Sequence, residues 1–317
     1  MTDRSILVAG ETLIDFIPET TGPLADVETF HRRPGGAPAN VAVGLARLDA
    51  TPWLCTTLST DPFGEFLSAH LIDEGIPEKY ITHADNSTAL AFVSHGADAD
   101  REFSFHRERT ADTVLQTDVV DTATLQGLDW LVVGGVTLSA EPSRSATFEL
   151  VDRAREAGCG VVFDPNTRPE LWTKHNDMTL TIERMLRRTD VLKATTEDFA
   201  PTTIATDGDF VDRLREYGPQ LVLLTEGKSG ARAVGGPASP WGVGEWHHPG
   251  YQLDRVVDTT GAGDGFLAGA VAALDEGMGP DETLGFANAV AGLSTTESGA
   301  MSALPDREVV EAFVEGR

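Results

Sequence analysis

Residues 258–266 read DTTGAGDGF, a polar, glycine-rich hinge that runs straight into a helical pattern. Phe266, Leu267, Ala270, Val271 and Leu274 then fall on one apolar stripe, so the hinge must form that helix's N-terminus. The first amides of a helix lack intrahelical partners and carry the positive end of its dipole. Gly261 and Gly263 put no side chain between those amides and an approaching anion. Such a nest suits a phosphate. Asp264 closes it, where a carboxylate can take the proton of an attacking hydroxyl while the amides hold phosphoryl oxygens. Taken alone, a Gly-Asp pair also reads as a turn with Asp264 as an N-cap, so the flanking chain has to decide.

Upstream, ILVAG (6–10) is a short apolar run ending in glycine, the pattern of a buried strand in a parallel sheet. Ligands of open α/β sheets bind beyond the carboxyl ends of strands. Asp15, in GETLIDFIP, is therefore placed to accept hydrogen bonds from hydroxyls, with a solvated turn residue as the plain alternative. RPGGAPANVAVGLARLDA (33–50) is a Gly-Gly turn opening a small-residue helix. Gly35 and Gly36 permit close approach of a ligand, and Asn40 offers a donor and an acceptor, or a cap, at the helix start. WLCTTL (53–58) and a helix from Phe63 to about Glu74 continue the α/β alternation. Between Thr88 and His106 the pattern changes to two alternating strands, TALAFVSHG and REFSFH, joined by a GADAD turn. DWLVVGG (129–135), a helix from Glu141 to Ala157 and GVVFD (160–164) then restore the β-α-β order of a doubly wound sheet. In DPNTRPELW (164–172), Arg168 can grip an anionic oxygen bidentately or pair with a neighbouring acid.

Two familiar motifs are excluded. GKS in QLVLLTEGKSGA (220–231) is not a P-loop, because Val222 stands where the first glycine belongs and no helix pattern follows. GAGDGF is not a dinucleotide fingerprint, because Phe266 occupies its last small-residue position.

With 317 residues and 41% apolar content the chain can bury a full core, and no run approaches the roughly 20 apolar residues of a membrane span. A cytoplasmic location is expected. Cys55 and Cys159, the only cysteines, lack metal spacing and read as buried thiols. The formal charge is −26, with only four lysines, Lys79, Lys174, Lys193 and Lys228. That field disfavours nucleic acid and anionic membrane as partners and looks like a halophile's surface. Self-repulsion of this size is screened within about 3 Å at 1 M salt, so the protein should melt at higher temperature in molar KCl than in dilute buffer. A melting temperature independent of KCl from 0.1 to 3 M would contradict this.

DTTGAGD resembles the C-terminal motif of the ribokinase-like (PfkB) carbohydrate kinases, and the likeness runs from Ile6 to Pro305 in the family's order and spacing. It implies one ribokinase-like domain over residues 1–317, with a doubly wound sheet flanked by helices. Segments of about 12–33 and 87–112 would form a small β-sheet lid that excludes water from the sugar. It implies an ATP-dependent sugar kinase using ATP and Mg²⁺, and a homo-oligomer assembled through the lid. By position, Asp264 is the catalytic base and Gly261, Ala262 and Gly263 the anion hole. GETLIDFIP and FSFHRERTAD (103–112) resemble fructokinases, placing Asp15, Phe105 and Arg107 at the sugar with Gly35, Gly36, Asn40 and Arg168.

On the nucleotide side the resemblance aligns Thr225, Gly227 and Gly230 with the family's loop, and Asn288 with the adenine flank. VLKATTEDF (191–199) falls on the family's Asn-x-x-Glu motif, where Glu197 matches and Ala194 replaces the Asn. One carboxylate reaching Mg²⁺ through water is compatible with that. Asp258, Thr260 and the 298–302 region would house K⁺ where members have it. Fructokinase is the first expectation. A 2-keto-3-deoxygluconate kinase, another PfkB kinase and a non-catalytic binding module are the alternatives, which an ATP-consumption assay over a sugar panel separates.

Overall fold

The computed structural model describes residues 4–20, 22–95 and 101–317, so the GADAD turn lies outside the described residues. The strands are β1 Ile6–Ala9, β2 Leu13–Pro18, β3 Phe30–Gly35, β4 Trp53–Ser59, β5 Ile81–Ala84, β6 Leu90–His95, β7 Arg101–His106, β8 Trp130–Gly134, β9 Gly160–Asp164, β10 Val191–Ala194, β11 Leu221–Thr225, β12 Ala231–Gly235 and β13 Gly244–His248. The helices are α1 Ala37–Arg47, α2 Pro62–Asp73, α3 Thr122–Gln126, α4 Ser143–Glu156, α5 His175–Leu186, α6 Thr196–Phe199, α7 Phe210–Glu216, α8 Ala262–Asp275, α9 Pro280–Ser294 and α10 Arg307–Glu315.

Nine strands form the main sheet in the order β13-β12-β11-β10-β9-β8-β1-β4-β5. All neighbours from β5 to β11 run parallel, and β12 and β13 are added antiparallel. Strand alternation sorts the apolar residues onto two faces. Ile6 and Val8 pack in a core shared with α1, α8 and α9, while Leu7 and Ala9 pack in one shared with α4, α5 and α7. From β1 the chain builds outward to β4 and β5 on one side and from β8 onward on the other. The β1/β8 boundary is thus the switch point at which such sheets open a crevice beyond the strand ends.

A separate four-stranded sheet, β3-β2-β6-β7, stands over that crevice. Leu13, Ala89 and Ala91, with Phe103 and Phe105, form its small core, while Phe16, Phe30 and Phe92 pack edge-on or stacked on the opposite side with Phe63 of α2. The Gly-Gly turn expected at 35–36 is divided between elements: Gly35 ends β3, paired to Leu13, and Gly36 caps α1. After β11 the GKS segment makes a single 3-10 turn and returns as antiparallel β12, which is incompatible with a P-loop.

Candidate active site

The hinge at 258–266 places its backbone as its glycines suggest. Gly261 is left-handed with φ 78°, a conformation that disfavours a side chain, and α8 begins at Ala262. Asp264 lies in the first turn of α8 and is 8% exposed. Asn40 of α1 donates from Nδ2 to Asp264 Oδ2 at 2.7 Å. Burial pushes the Asp264 carboxyl above the ordinary aspartate value, against the pull of the Asn40 hydrogen bond and the charges of Lys193 and Arg168.

Asp264 opens onto a cavity of about 1340 Å³ beyond the strand ends. That exceeds the usual 300–1,000 Å³ of a single-ligand pocket and gives room for two substrates side by side. Asp15, Gly36, Asn40 and Phe105 line one part of it with Arg168; Thr225, Gly227, Gly230 and Asn288 line another. Thr260, Gly261, Ala262 and Gly263 lie on the wall with Asp264, and Glu197 stands exposed at the rim.

Arg168 connects the two sheets. Its guanidinium lies 5.4 Å from the centroid of Phe103, and its charge acts on both Asp15 and Asp264. Burial pushes Asp15 up to about 7 against that pull, and pushes Glu11, 2% exposed on the same wall, up to about 8. Glu11 Oε2 and Asn40 Oδ1 are buried without a hydrogen-bond partner, the condition that a polyhydroxylated ligand relieves.

Three expected residues do not line the cavity. Arg107 stands behind the wall: its Nε donates to Asp112 and its Nη1 to Ser139 Oγ at 2.6 Å, which ties the end of β7 to the turn after β8, while its Nη2 is buried without a hydrogen-bond partner and its charge acts on Glu11 of the cavity wall. Gly35 makes room for Asp15, since a Cβ there would stand 2.1 Å from Asp15 Oδ2. Asp258 ties two loops, accepting from the Thr260 amide at 2.7 Å and the Gly299 amide at 3.0 Å.

One residue on the wall escapes a motif-based reading. Lys193 in β10 is 5% exposed, and its Nζ donates to both oxygens of Asp164, at 3.2 and 3.0 Å. Its only sequence signal is a charge interrupting an apolar strand. Among the described residues no cluster of three or more His, Cys, Asp or Glu side chains could hold a metal by itself. No helix of the described residues is long and apolar enough to cross a membrane.

A crevice with room for two substrates, a helix N-terminus opening on it after a left-handed glycine and a buried carboxylate in that helix's first turn fit a phosphotransferase acting on a hydroxyl. The family model for pfkB family carbohydrate kinases matches residues 3–307, and the chain belongs to that family: it is an ATP-dependent sugar kinase. It is 35% identical over 315 residues to a fructokinase of Klebsiella pneumoniae, covering 96% of this chain and 97% of that one. Among solved structures it is similar to fructokinase with bound ATP from Xylella fastidiosa, with a TM-score of 0.85 and 29% identity over 99% of each chain. It is also similar to a fructokinase double mutant from Vibrio cholerae O395 in fructose, ADP and potassium ion bound form, with a TM-score of 0.82 and 29% identity over 98% of this chain and 97% of that one.

Proposed function

We propose that this kinase transfers the γ-phosphoryl group of ATP to a hydroxyl of fructose, with Asp264 as general base. The observation that carries the reading is the placement of a buried carboxylate in the first turn of α8, three residues after the left-handed Gly261 and beside the cavity wall formed by Asp15, Asn40 and Arg168. The sugar would lie between the small sheet and α1, with hydroxyls meeting Asp15 and the unpartnered Asn40 Oδ1 and Glu11 Oε2. The nucleotide would lie along Thr225, Gly227, Gly230 and Asn288.

In the transfer, the sugar oxygen forms a bond to the γ-phosphorus as the bond from that phosphorus to the β,γ-bridging oxygen breaks. The hydroxyl proton passes to Asp264, and the amides of Gly261, Ala262 and Gly263 take the charge on the phosphoryl oxygens, Ala262 giving up its 3.3 Å bond to the Thr259 carbonyl to do so. Mg²⁺ carried on the nucleotide fits a site with one nearby carboxylate, Glu197, because Mg²⁺ keeps most of its waters; it would neutralise phosphate charge. A monovalent cation beside Asp258 and Thr260 belongs to the same proposal.

Fructose is favoured over a sugar acid on two grounds. The fructokinase relatives span nearly the whole chain, and Glu11 and Asp15 both line the cavity as hydrogen-bond partners for neutral hydroxyls, whereas a substrate carboxylate would need a cation of its own. Arg168 already faces Asp15 and Asp264. The expected kcat/KM for fructose is at least about tenfold above that for 2-keto-3-deoxygluconate, roughly 1.4 kcal/mol in transition-state binding. An ATP-consumption assay with both sugars, at one ATP concentration in molar KCl, tests it. A preference for the sugar acid would overturn the substrate while leaving the kinase intact, and no turnover on any sugar would overturn the catalytic reading.

A further inference from the structure

We propose that the Lys193 ammonium is a phosphoryl-binding group of the transfer site, held by Asp164 beside Gly263 and shared in catalysis between that carboxylate and the transferring phosphoryl oxygens. The proposal rests on the reading of Gly261–Gly263 as the phosphoryl cradle.

β10 lies in the middle of the sheet between β9 and β11, the costliest place in the fold for a lysine. Strand alternation puts Lys193 on the same face as Val191, which packs in the core shared with α8. The side chain therefore reaches toward the N-terminus of α8, where a Cβ on Gly263 would stand 3.2 Å from its Nζ. Lysine and glycine line the same wall. Any side chain at 263 would press on the ammonium by a few tenths of an ångström, and glycine spares it that.

Stability alone does not account for this arrangement. Replacing a buried ion pair by apolar residues is often neutral or stabilising, so a pair kept on a cavity wall points to chemistry. Burial pushes the Asp164 carboxyl up, and the Lys193 charge with its two hydrogen bonds pulls it back toward the ionised form. Burial works against that charge, but Asp164, Asp198 and Asp264 outweigh it and hold the lysine above its ordinary value. Asp198 is committed elsewhere, accepting from the amides of Thr167 and Thr195. The two bonds to Asp164 use two of the three N–H donors of an ammonium. A polyphosphate entering beside three carboxylates needs a positive charge at that wall, and lysine meets phosphate as a compact point charge.

The test uses a charge-neutral replacement of both partners, Lys193→Gln with Asp164→Asn, which removes the ammonium without stranding a buried carboxylate. With its melting temperature within a few degrees of wild type, kcat is expected to fall at least about 10²-fold, the usual loss for one oxyanion donor, while the KM for sugar stays within about threefold. A kcat within threefold of wild type, or an effect confined to the KM for ATP, overturns the proposal. Should the double variant not fold, Lys193→Ala is measured with added ethylammonium: recovery of kcat supports a charge acting on phosphate, and no recovery overturns it. Asp264→Asn in the same assay separates the two readings, since an active Asp264→Asn enzyme refutes the cradle-and-base site itself, whereas its loss beside an unaffected double variant refutes Lys193 alone.

Discussion

Asp264→Asn is expected to lower kcat by roughly 10² to 10⁴ while leaving the fold and nucleotide binding in place. The substitution keeps shape and the hydrogen bond, because the new amide oxygen can still accept from Asn40 Nδ2, now 2.7 Å away. It removes only the proton acceptor. Burial raises this carboxyl above its ordinary 3.8, so in the wild-type enzyme kcat/KM should fall on the acid side at a pH above that value, as the base becomes protonated. The mutant should lack that limb. Turnover within tenfold of wild type, at an unchanged melting temperature, would remove Asp264 from the base role.

The parts of the site legible in the sequence are those whose chemistry is local. DTTGAGDGF contains the left-handed glycine, the helix start and the carboxylate within nine residues, so backbone rules alone place all three. The main sheet was equally legible, because ILVAG, DWLVVGG and GVVFD are continuous apolar runs at β-α-β spacing and become β1, β8 and β9. What local rules miss is pairing across the fold. Arg107 reads as a cation free to meet a sugar, and only the structure brings Asp112 and Ser139 against it. Gly35 reads as room for a ligand, and only the structure shows that the side chain it makes room for is Asp15 from the adjacent strand. Asp164 ends β9 and Lys193 is the last but one residue of the adjacent β10, 29 residues away, and nothing in VLKA names the partner.

Glu11→Gln is expected to stabilise the protein increasingly as pH rises. Glu11 is 2% exposed with its Oε2 unpartnered, and burial pushes its carboxyl from 4.5 to about 8, against the charge of Arg107 and with added repulsion from Asp112 and Asp264. The sign follows from proton counts. Between pH 4.5 and 8 the folded chain holds a proton here that the unfolded chain has released, so stability is greatest below that window and is lost as pH rises through it. The full span corresponds to about 5 kcal/mol at 1.36 kcal/mol per pH unit. A glutamine of the same shape is neutral in both states and escapes the loss. Urea unfolding at pH 5.5 and pH 8.0, in one KCl concentration, should show the advantage of Glu11→Gln over wild type growing by about 3 kcal/mol across that interval. An advantage that does not change with pH would mean that Glu11 titrates normally and that burial costs it nothing. With the expected result, the carboxyl is a group that the fold keeps on the cavity wall at the expense of its own stability, as binding sites commonly do, and the same substitution should raise the KM for sugar.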